Sequence, residues 1–263
     1  MISQIRTFQD NTGEVRISRI DSYLWMRQTG LYFQSKRNGY RNNIGICTHC
    51  SDEMPQIMET EGGLSRCICH LLDEERYLIE AQELASSHQP RKIEDFEIWG
   101  DVKSKDALVI AIAAANGWTE SPDRWMVIAG GFGTGKTFLL HAINTIFKPW
   151  SLYISVPDFE QLIFKYTGEG DLDRVIDIIA THPILLLDDV GADYGSKYPI
   201  SMLRRVIDFR YRRWWEYPTI VTTNLSPLQL EQYDGRTADR LLDKEVSQVV
   251  SMAQVKSWRR NGK

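Results

Sequence analysis

Apolar residues over the last two thirds of the chain alternate between two patterns. Short continuous apolar runs indicate buried strands, and apolar residues spaced three and four apart indicate amphipathic helices. The runs predict strands at residues 125–129, 152–156, 184–187, 219–223 and 246–252. The helical spacing predicts helices at about residues 102–116, 137–146, 157–166, 171–180, 199–215 and 235–242. Strands that alternate with helices predict an α/β fold with a mainly parallel sheet.

The first third of the chain follows a different pattern. Residues 72–85 carry apolar side chains at helical spacing, and the polar stretch 86–92 that follows is typical of a linker. We therefore predict two parts, a small N-terminal module with its linker at residues 1–90 and an α/β core at residues 91–263.

Composition and charge narrow the class of protein. The 263 residues are 43% hydrophobic and 25% charged, which excludes a wholly disordered chain, a collagen-like chain and a coiled-coil rod. The sequence has no apolar run long enough to cross a bilayer, its start does not resemble a secretion signal, and four cysteines are too few for a disulfide scaffold. We expect a cytoplasmic protein that does not bind membranes. The net charge is −4, but residues 1–45 carry +4 and residues 46–100 carry −8, which indicates either separate contact surfaces or solvated surface charge.

A phosphate-binding loop follows the first core strand. Its eight residues are Gly130, Gly131, Phe132, Gly133, Thr134, Gly135, Lys136 and Thr137, and Phe138 opens the helix behind them. These residues match G-x-x-x-x-G-K-[ST] between a strand and a helix, the context in which backbone N–H groups surround phosphate oxygens. We expect ATP at this loop, with Lys136 at the β- and γ-phosphates and the Thr137 hydroxyl on Mg²⁺. The alternative is a glycine-rich turn that binds nothing.

Two carboxylates end the predicted strand at residues 184–187. An apolar strand followed by Asp188 and Asp189 is what an ATPase needs beyond its phosphate loop. We expect Asp188 to hold Mg²⁺ through water and Asp189 to orient or deprotonate the attacking water.

Several further motifs, in order, resemble the AAA+ ATPases and, among them, the bacterial DnaC/DnaI helicase loaders and their IstB-like relatives. Gly191 and the triplet Ser196-Lys197-Tyr198 follow the two aspartates, as in the loaders, and Asn224 ends a strand similar to the sensor 1 strand of the family. Arg236 and Arg240 stand four residues apart, and Ser257-Trp258-Arg259 is similar to a triplet near the end of the loaders. The resemblance covers about residues 92–263.

The resemblance implies roles for these residues. Asn224 would assist hydrolysis as sensor 1, and Arg240, with Arg236 one turn before it, would stabilise the charge that develops on the nucleotide of a neighbouring subunit. The alternative for both arginines is a surface salt bridge. Arg259 would contact the bound nucleotide, although Arg260 is adjacent to it. The chain ends 23 residues after Arg240, so we expect the core to lack a C-terminal helical lid. Asp189 stands where many AAA+ proteins have glutamate, which would make turnover slow.

All four cysteines lie in one window. Cys47, Cys50, Cys67 and Cys69 have the spacing of a structural zinc site, and His70 is an alternative fourth ligand. Disulfides or four thiols grouped by chance are the alternatives. Loaders of the DnaI type carry a cysteine-rich N-terminal module that attaches to the helicase, and the resemblance implies the same role here.

Single-stranded DNA is the second expected partner. The resemblance assigns DNA contact to Ser196, Lys197 and Tyr198, because a hydroxyl, an ammonium and an aromatic ring suit phosphate contact and base stacking. The basic side chains of the predicted helix 199–215 could also bind DNA or form a solvated face.

The expected function is that of an ATP-dependent loader. Such a protein would bind the replicative DNA helicase through its N-terminal module, associate with itself through the ATPase interface and place the helicase on single-stranded DNA when replication begins. An IstB-like transposition helper, which would act on duplex DNA and a transposase, is one alternative. A non-catalytic adaptor switched by ATP is another.

Overall fold

The computed structural model describes residues 7–9, 15–17, 57–60, 63–66, 90–147, 151–169, 172–192 and 197–261. The chain divides into two compact units, Met1–Glu80 and Ala81–Lys263. The first unit contains two antiparallel strand pairs, β1 (Thr7–Gln9) with β2 (Val15–Ile17) and β3 (Ile57–Thr60) with β4 (Gly63–Arg66). The predicted zinc ligands Cys47, Cys50, Cys67, Cys69 and His70, and the predicted helix 72–85, lie outside the described residues. The division expected at residue 90 stays a prediction.

A five-stranded parallel sheet forms the centre of the second unit. Its strands are β5 (Trp125–Ala129), β6 (Ser151–Ser155), β7 (Ile184–Val190), β8 (Thr219–Thr223) and β9 (Ser247–Ser251). They lie in the order β6-β7-β8-β5-β9, with every neighbouring pair parallel. The four strands other than β9 are buried along most of their length, which explains why the sequence shows them as continuous apolar runs. The predicted α/β core with a parallel sheet is confirmed.

Seven α-helices connect and cover these strands in the described part of the second unit. They are α1 (Val102–Glu120), α2 (Lys136–Phe147), α3 (Val156–Glu169), α4 (Leu172–Thr181), α5 (Lys197–Tyr211), α6 (Pro227–Leu241) and α7 (Trp258–Asn261), and a 3₁₀ turn at Ile93–Asp95 precedes them. Asp101 starts α1 by accepting a hydrogen bond from the Ser104 N–H at 3.0 Å. Among the described helices, none combines the length and the apolar character needed to cross a membrane.

Three helices begin or end at least four residues from their predicted bounds. The predicted helix 102–116 continues to Glu120. The predicted helix 199–215 ends at Tyr211, and the predicted helix 235–242 is the second half of α6, which starts at Pro227. Ser226 and Gln229 form a capping box at this start. The sequence that follows is mostly polar, so its apolar spacing did not predict a helix there. At Asp234 the backbone leaves helical geometry (φ −158°, ψ 100°), and the Asp234 carboxylate caps the second half by accepting the Thr237 N–H at 3.2 Å.

Candidate nucleotide site at the carboxyl edge of the sheet

The phosphate-binding loop connects the end of β5 to the start of α2, at the edge where the parallel strands end. Gly133 and Gly135 have φ values of 71° and 95°, a region that only glycine adopts readily. A Cβ on Gly133 would lie 2.4 Å from Oγ of Ser257, and one on Gly135 would lie 2.6 Å from Cζ of Phe96. The loop is therefore closely packed as well as left-handed, and both positions require glycine.

Lys136 is buried at the base of this loop, with 4% of its surface exposed. Its Nζ donates hydrogen bonds to the carbonyl oxygens of Gly130 and Gly131, both at 2.8 Å, and to Oδ1 of Asn224 at 2.7 Å. Burial lowers the pKa of Lys136, while the attraction of Asp189 and Asp188 opposes that shift. The Lys136 ammonium is buried and bound only to neutral oxygens in the described part of the chain. The negatively charged oxygens of a phosphate would be stronger partners and could replace them.

Asp188 and Asp189 lie in a bulge of strand β7. The pairing of β7 with β8 shifts register between Leu187 and Val190, and Asp189 has a φ of 58°. Thr222 of β8 fixes the bulge, because its hydroxyl donates to Oδ1 of Asp188 and accepts the Asp189 N–H at 2.9 Å. A left-handed backbone at a residue other than glycine is strained, and such strain is concentrated at functional sites.

The two carboxylates have different partners. Asp188 is buried and accepts a hydrogen bond from the Tyr153 hydroxyl at 2.8 Å in addition to the one from Thr222. Asp189 accepts one from Nδ2 of Asn224 at 3.0 Å. Burial and the neighbouring Asp188 raise the pKa of Asp189, against the attraction of Lys136. Asn224 therefore connects Lys136 to Asp189, so the structure brings together the phosphate loop, the paired aspartates and the expected sensor residue.

An aromatic cluster packs beside the loop, and sequence reasoning missed half of it. Phe96 stacks on Trp99 at 5.6 Å and meets Phe138 edge-on at 5.2 Å, and Trp99 meets Trp258 edge-on at 5.0 Å. The indole N–H of Trp99 donates to the carbonyl of Lys256 at 2.7 Å. The sequence does show Phe96 and Trp99 three residues apart just before α1. Nothing in the sequence around them indicates that they pack against a loop more than 30 residues later.

The remaining predicted residues of this site take up distinct positions. Thr137 is half-buried in the first turn of α2, and Phe132 is 75% exposed at the tip of the loop. Thr134 is buried, and its hydroxyl donates to the Gly131 carbonyl at 3.0 Å. Arg259 is exposed in α7, with its Cγ 3.6 Å from where a Cβ on Gly133 would lie, and its charge attenuates the raised pKa of Asp189.

Arg236 and Arg240 have partners on α5 rather than on the phosphate loop. Nη2 of Arg236 lies 3.0 Å from Oδ2 of Asp208, and Nε of Arg240 lies 2.5 Å from Oδ1 of the same carboxylate. The salt bridge considered as an alternative for both residues is therefore present within the chain. Whether Arg240 also acts on a neighbouring subunit stays a prediction.

The expected DNA-contacting residues begin helix α5. Lys197 and Tyr198 are exposed, and the Tyr198 hydroxyl lies 3.4 Å from the Thr167 hydroxyl of α3. Ser196 lies outside the described residues. Two arginines of α5 pair with aspartates, Arg204 with Asp234 and Arg205 with Asp173, which reduces the charge that this helix can offer to phosphates.

The residues at the carboxyl edge fit a magnesium-bound nucleoside triphosphate. A glycine-rich loop before a helix can turn its N–H groups toward phosphate oxygens, and Lys136 is a buried cation beside it. The Thr137 hydroxyl and the Asp188 carboxylate supply the hard oxygen donors that Mg²⁺ prefers.

Comparisons with known proteins agree with this site. The sequence model of the family described as "IstB-like ATP binding protein" matches residues 49–262. The replicative helicase loader DnaI of Bacillus subtilis (strain 168) is 28% identical over 111 residues, which is 41% of this chain and 35% of that protein. The match therefore spans about a third of the length of this curated relative.

Solved structures share the fold at low identity. A crystal structure of DnaI aligns with a TM-score of 0.50 and 22% identity, over 61% of this chain and 90% of that one. The DnaC helicase loader aligns with a TM-score of 0.51 and 18% identity, over 61% and 95%. The replication initiator DnaA, bound to AMPPCP and single-stranded DNA, aligns with a TM-score of 0.52 and 22% identity, over 62% and 50%.

The resemblance that the motifs predicted is confirmed, since the family model covers both the site and the core that carries it. Because this family model matches residues 49–262, most of the sequence, the chain belongs to the IstB-like ATP binding protein family.

Proposed function

We propose that this protein is an ATP-hydrolysing helicase loader, which binds a replicative DNA helicase and places it on single-stranded DNA when replication begins. The observation that carries the ATPase part is the connection from Lys136 through Asn224 to Asp189, at 2.7 and 3.0 Å. Through it, the group that would meet the γ-phosphate is coupled to the group that would act on water. The loader part is supported by the resemblance to DnaI, a protein named as a replicative helicase loader.

The residues of the site have separable roles in this proposal. Lys136 exchanges its carbonyl partners for phosphate oxygens, and Thr137 and Asp188 hold Mg²⁺, which when bound neutralises phosphate charge. Asp189 orients the attacking water and takes its proton. Its raised pKa favours that role, because a more basic carboxylate is a better proton acceptor.

The site needs a second subunit for full activity. Arg240 is the residue we assign to the nucleotide of a neighbouring copy, where a guanidinium stabilises charge on the transferred phosphoryl group. Its contacts in the described part of the chain are with Asp208 and Tyr211 of α5 and with Arg236 of α6, none of which belongs to the phosphate-binding loop. This arrangement supports action in trans rather than in cis.

The proposed surface for single-stranded DNA combines α3 with the start of α5. Tyr198 is 41% exposed beside Thr167, and Phe164, one turn before Thr167 on α3, is 58% exposed. Lys197 adds a cation at the positive end of α5. Two exposed rings and a lysine on neighbouring helices match a platform on which bases stack while phosphates meet positive charge.

The N-terminal module is proposed to attach the helicase. Four cysteines within residues 47–69, followed by His70, supply a ligand set for one structural Zn²⁺. Metal analysis of the reduced protein should find one zinc per chain, and Cys47→Ser should release it while ATP binding by the core persists. Protein free of zinc would remove this part of the proposal.

An interaction experiment tests the proposal as a whole. The replicative helicase of the source organism should co-purify with the protein when ATP is present. Lys136→Ala should lose the ATP dependence, while Lys103→Ala, at an exposed position of α1, should keep it. Binding to a transposase and duplex DNA, without binding to the helicase, would favour the transposition helper. Helicase binding without any ATP hydrolysis would favour the adaptor.

A mixing experiment tests the shared site. Lys136→Ala lacks a working nucleotide site but keeps Arg240, and Arg240→Ala has the opposite defect. Each alone should be inactive, and mixed oligomers should recover hydrolysis. Failure to recover it, with mixed oligomers shown by native mass spectrometry, would contradict action in trans.

A further inference from the structure

Helices α5 and α6 are joined by a group of ion pairs that the nucleotide site does not use. Arg204 and Asp208, four residues apart on α5, face three charged residues of α6. We call the set the ionic clasp, and its pairs are Arg204–Asp234, Asp208–Arg236 and Asp208–Arg240. The clasp holds the segment that carries the arginine we assign to the neighbouring subunit.

This segment is a separate short helix within α6. The backbone breaks at Asp234, whose carboxylate caps the new helix through Thr237 and binds Nε and Nη2 of Arg204 at 3.0 and 2.5 Å. The break separates the segment from the first half of α6, so its orientation is set by its contacts with α5 as well as by the chain before it.

Within the clasp the guanidinium of Arg240 is fixed from three sides. Nε meets Asp208 at 2.5 Å, Nη1 donates to the carbonyl of Arg236 at 2.9 Å, and the group lies over the ring of Tyr211 at 5.3 Å. The side chain is only 17% exposed. These contacts do not involve Nη2, so one edge of the guanidinium is left for another partner.

The clasp leaves positive charge on its arginines, which a one-to-one salt bridge would neutralise, and this charge attracts a phosphate. Asp208 is one carboxylate shared by two guanidinium groups. Half of the arginine charge is therefore uncompensated by Asp208, and Arg240 keeps an attraction for anions while its rotamer is fixed. Ordering an arginine side chain costs conformational entropy, and the contacts of the clasp have already ordered Arg240 before a second subunit binds.

We infer that Asp208 is a positioning residue: its ion pair with Arg240 holds the guanidinium, so that this group is already aimed when a second copy of this chain presents its nucleotide. This inference rests on the proposed role of Arg240 in trans. It assigns a function to a residue of α5 that acts through Arg240.

The test compares Asp208→Asn with Arg205→Gln, which removes the exposed pair with Asp173 from the same helix. Asp208→Asn should lower ATP hydrolysis by about tenfold to a hundredfold, as expected for a misplaced catalytic group, with unchanged nucleotide affinity. Arg205→Gln should hydrolyse ATP at the normal rate. Asp208→Glu, which keeps the charge, should recover part of the loss.

Two further readouts separate positioning from a structural role. Mixing Asp208→Asn with Lys136→Ala should restore hydrolysis, because the partner supplies a correctly held Arg240, whereas mixing it with Arg240→Ala should not. In nuclear magnetic resonance relaxation measurements on the nucleotide-free protein, the Arg240 Nε–H group, assigned by its loss in Arg240→Lys, should have the high order parameter of a fixed side chain. In Asp208→Asn its order parameter should be low, even though no nucleotide is bound.

The outcomes are distinguishable. Unchanged hydrolysis in Asp208→Asn, while Arg240→Ala is inactive, would overturn the inference alone. Increased hydrolysis would also overturn it and make Asp208 a latch that restrains Arg240. Normal hydrolysis in Arg240→Ala would overturn the proposed role in trans and the inference with it. If Asp208→Asn does not fold, Asp208→Glu decides, and full activity together with a low order parameter of the Arg240 Nε–H group would contradict positioning.

Discussion

The two edges of the central sheet each bury a cation, but they hold it in opposite ways. At the carboxyl edge, Lys136 donates to two loop carbonyls and to Asn224, with Asp189 next in the same chain of hydrogen bonds. At the amino edge, Arg210 of α5 is fully buried and bonds to the carbonyls of Ala180, His182 and Pro218 at 2.7–3.1 Å.

The difference lies in what the partners can do. The partners of Arg210 belong to the segments that lead into β7 and β8, so their positions are fixed once the sheet forms. The partners of Lys136 belong to a glycine-rich loop and to a side chain that follows β8, and the oxygens of a bound phosphate could replace them. A buried charge with permanent partners stabilises the fold, whereas one with exchangeable partners is available to a ligand. Substitutions at the two cations should therefore affect different properties.

The largest expected effect on stability is at Arg210. Arg210→Leu should lower the free energy of unfolding by about 3–5 kcal/mol, because three carbonyl oxygens at this buried position would lose a charged donor. Urea denaturation measures this loss, with Arg213→Leu, at an exposed position three residues later, as the control. A loss below about 1 kcal/mol would contradict the structural role.

Lys136 should show the reverse pattern. Lys136→Met should reduce ATP affinity by at least about a hundredfold, because a charge-assisted bond to phosphate is worth roughly 1.5–3 kcal/mol and the charge itself adds to it. The free energy of unfolding should change by less than about 1 kcal/mol, because burial of the ammonium offsets much of the gain from its hydrogen bonds. Calorimetric titration and urea denaturation measure the two effects. If Lys136→Met lost much of its stability but kept its affinity for ATP, Lys136 would be a structural cation like Arg210, and the proposed difference between the two would be wrong.

A smaller effect is expected at the proposed DNA surface. Tyr198→Ala should weaken single-stranded DNA binding by about 1–3 kcal/mol, the contribution of one stacked base, while Tyr198→Phe should keep most of the affinity. Lys197→Ala should instead flatten the salt dependence of binding, because it removes a phosphate contact. Fluorescence anisotropy at several salt concentrations distinguishes the loss of stacking in Tyr198→Ala from the loss of a phosphate contact in Lys197→Ala. Full affinity in Tyr198→Ala, with an unchanged melting temperature, would remove the stacking role.

The smallest effect is expected at Asp234, whose partner Arg204 is partly exposed. Burial alone would raise the pKa of Asp234, but hydrogen bonds from Arg204 and Thr237 outweigh it and lower the pKa. Asp234→Asn keeps a capping side chain, so the change in stability at pH 7 should be about 1 kcal/mol or less.

The pH dependence gives the sign of this contribution. The pKa of Asp234 in the folded protein lies below its value of about 3.9 in the unfolded chain. The stabilisation by the Asp234 carboxylate is therefore present above pH 4 and is lost as the pH falls through the pKa of the folded state. Denaturation at pH 7 and at pH 3 should therefore show the difference between Asp234→Asn and the unmodified protein shrinking at acidic pH. A constant difference would show that the charge has no part in it.

The sequence predicted much of the core, because the signals that define it are local. The bounds of β5 and β8 agree with the predicted runs. The glycine-rich motif predicted a loop between a strand and a helix, and the structure has this arrangement. The order of the strands, the bulge at Asp188 and Asp189 and the pair between Arg240 and Asp208 depend on contacts between distant parts of the chain. No local pattern predicts them.

Phe96 and Asp234 illustrate the same limit within the site and the clasp. Phe96 packs against Gly135 across 39 residues of sequence, so its part in shaping the loop is invisible from its neighbours. Asp234 looks like an ordinary surface residue of a polar stretch, yet it ends one helix, caps the next and binds Arg204. In each case long-range packing gives a residue a role that its type alone does not indicate.

The most direct test of the proposed function is helicase loading on closed circular single-stranded DNA, which a helicase ring cannot enter from an end. The source organism's replicative helicase, this protein and ATP should together produce helicase bound on the circles, and the yield should fall to background with Lys136→Ala. An equal yield without this protein, or with the Lys136→Ala variant, would contradict the account.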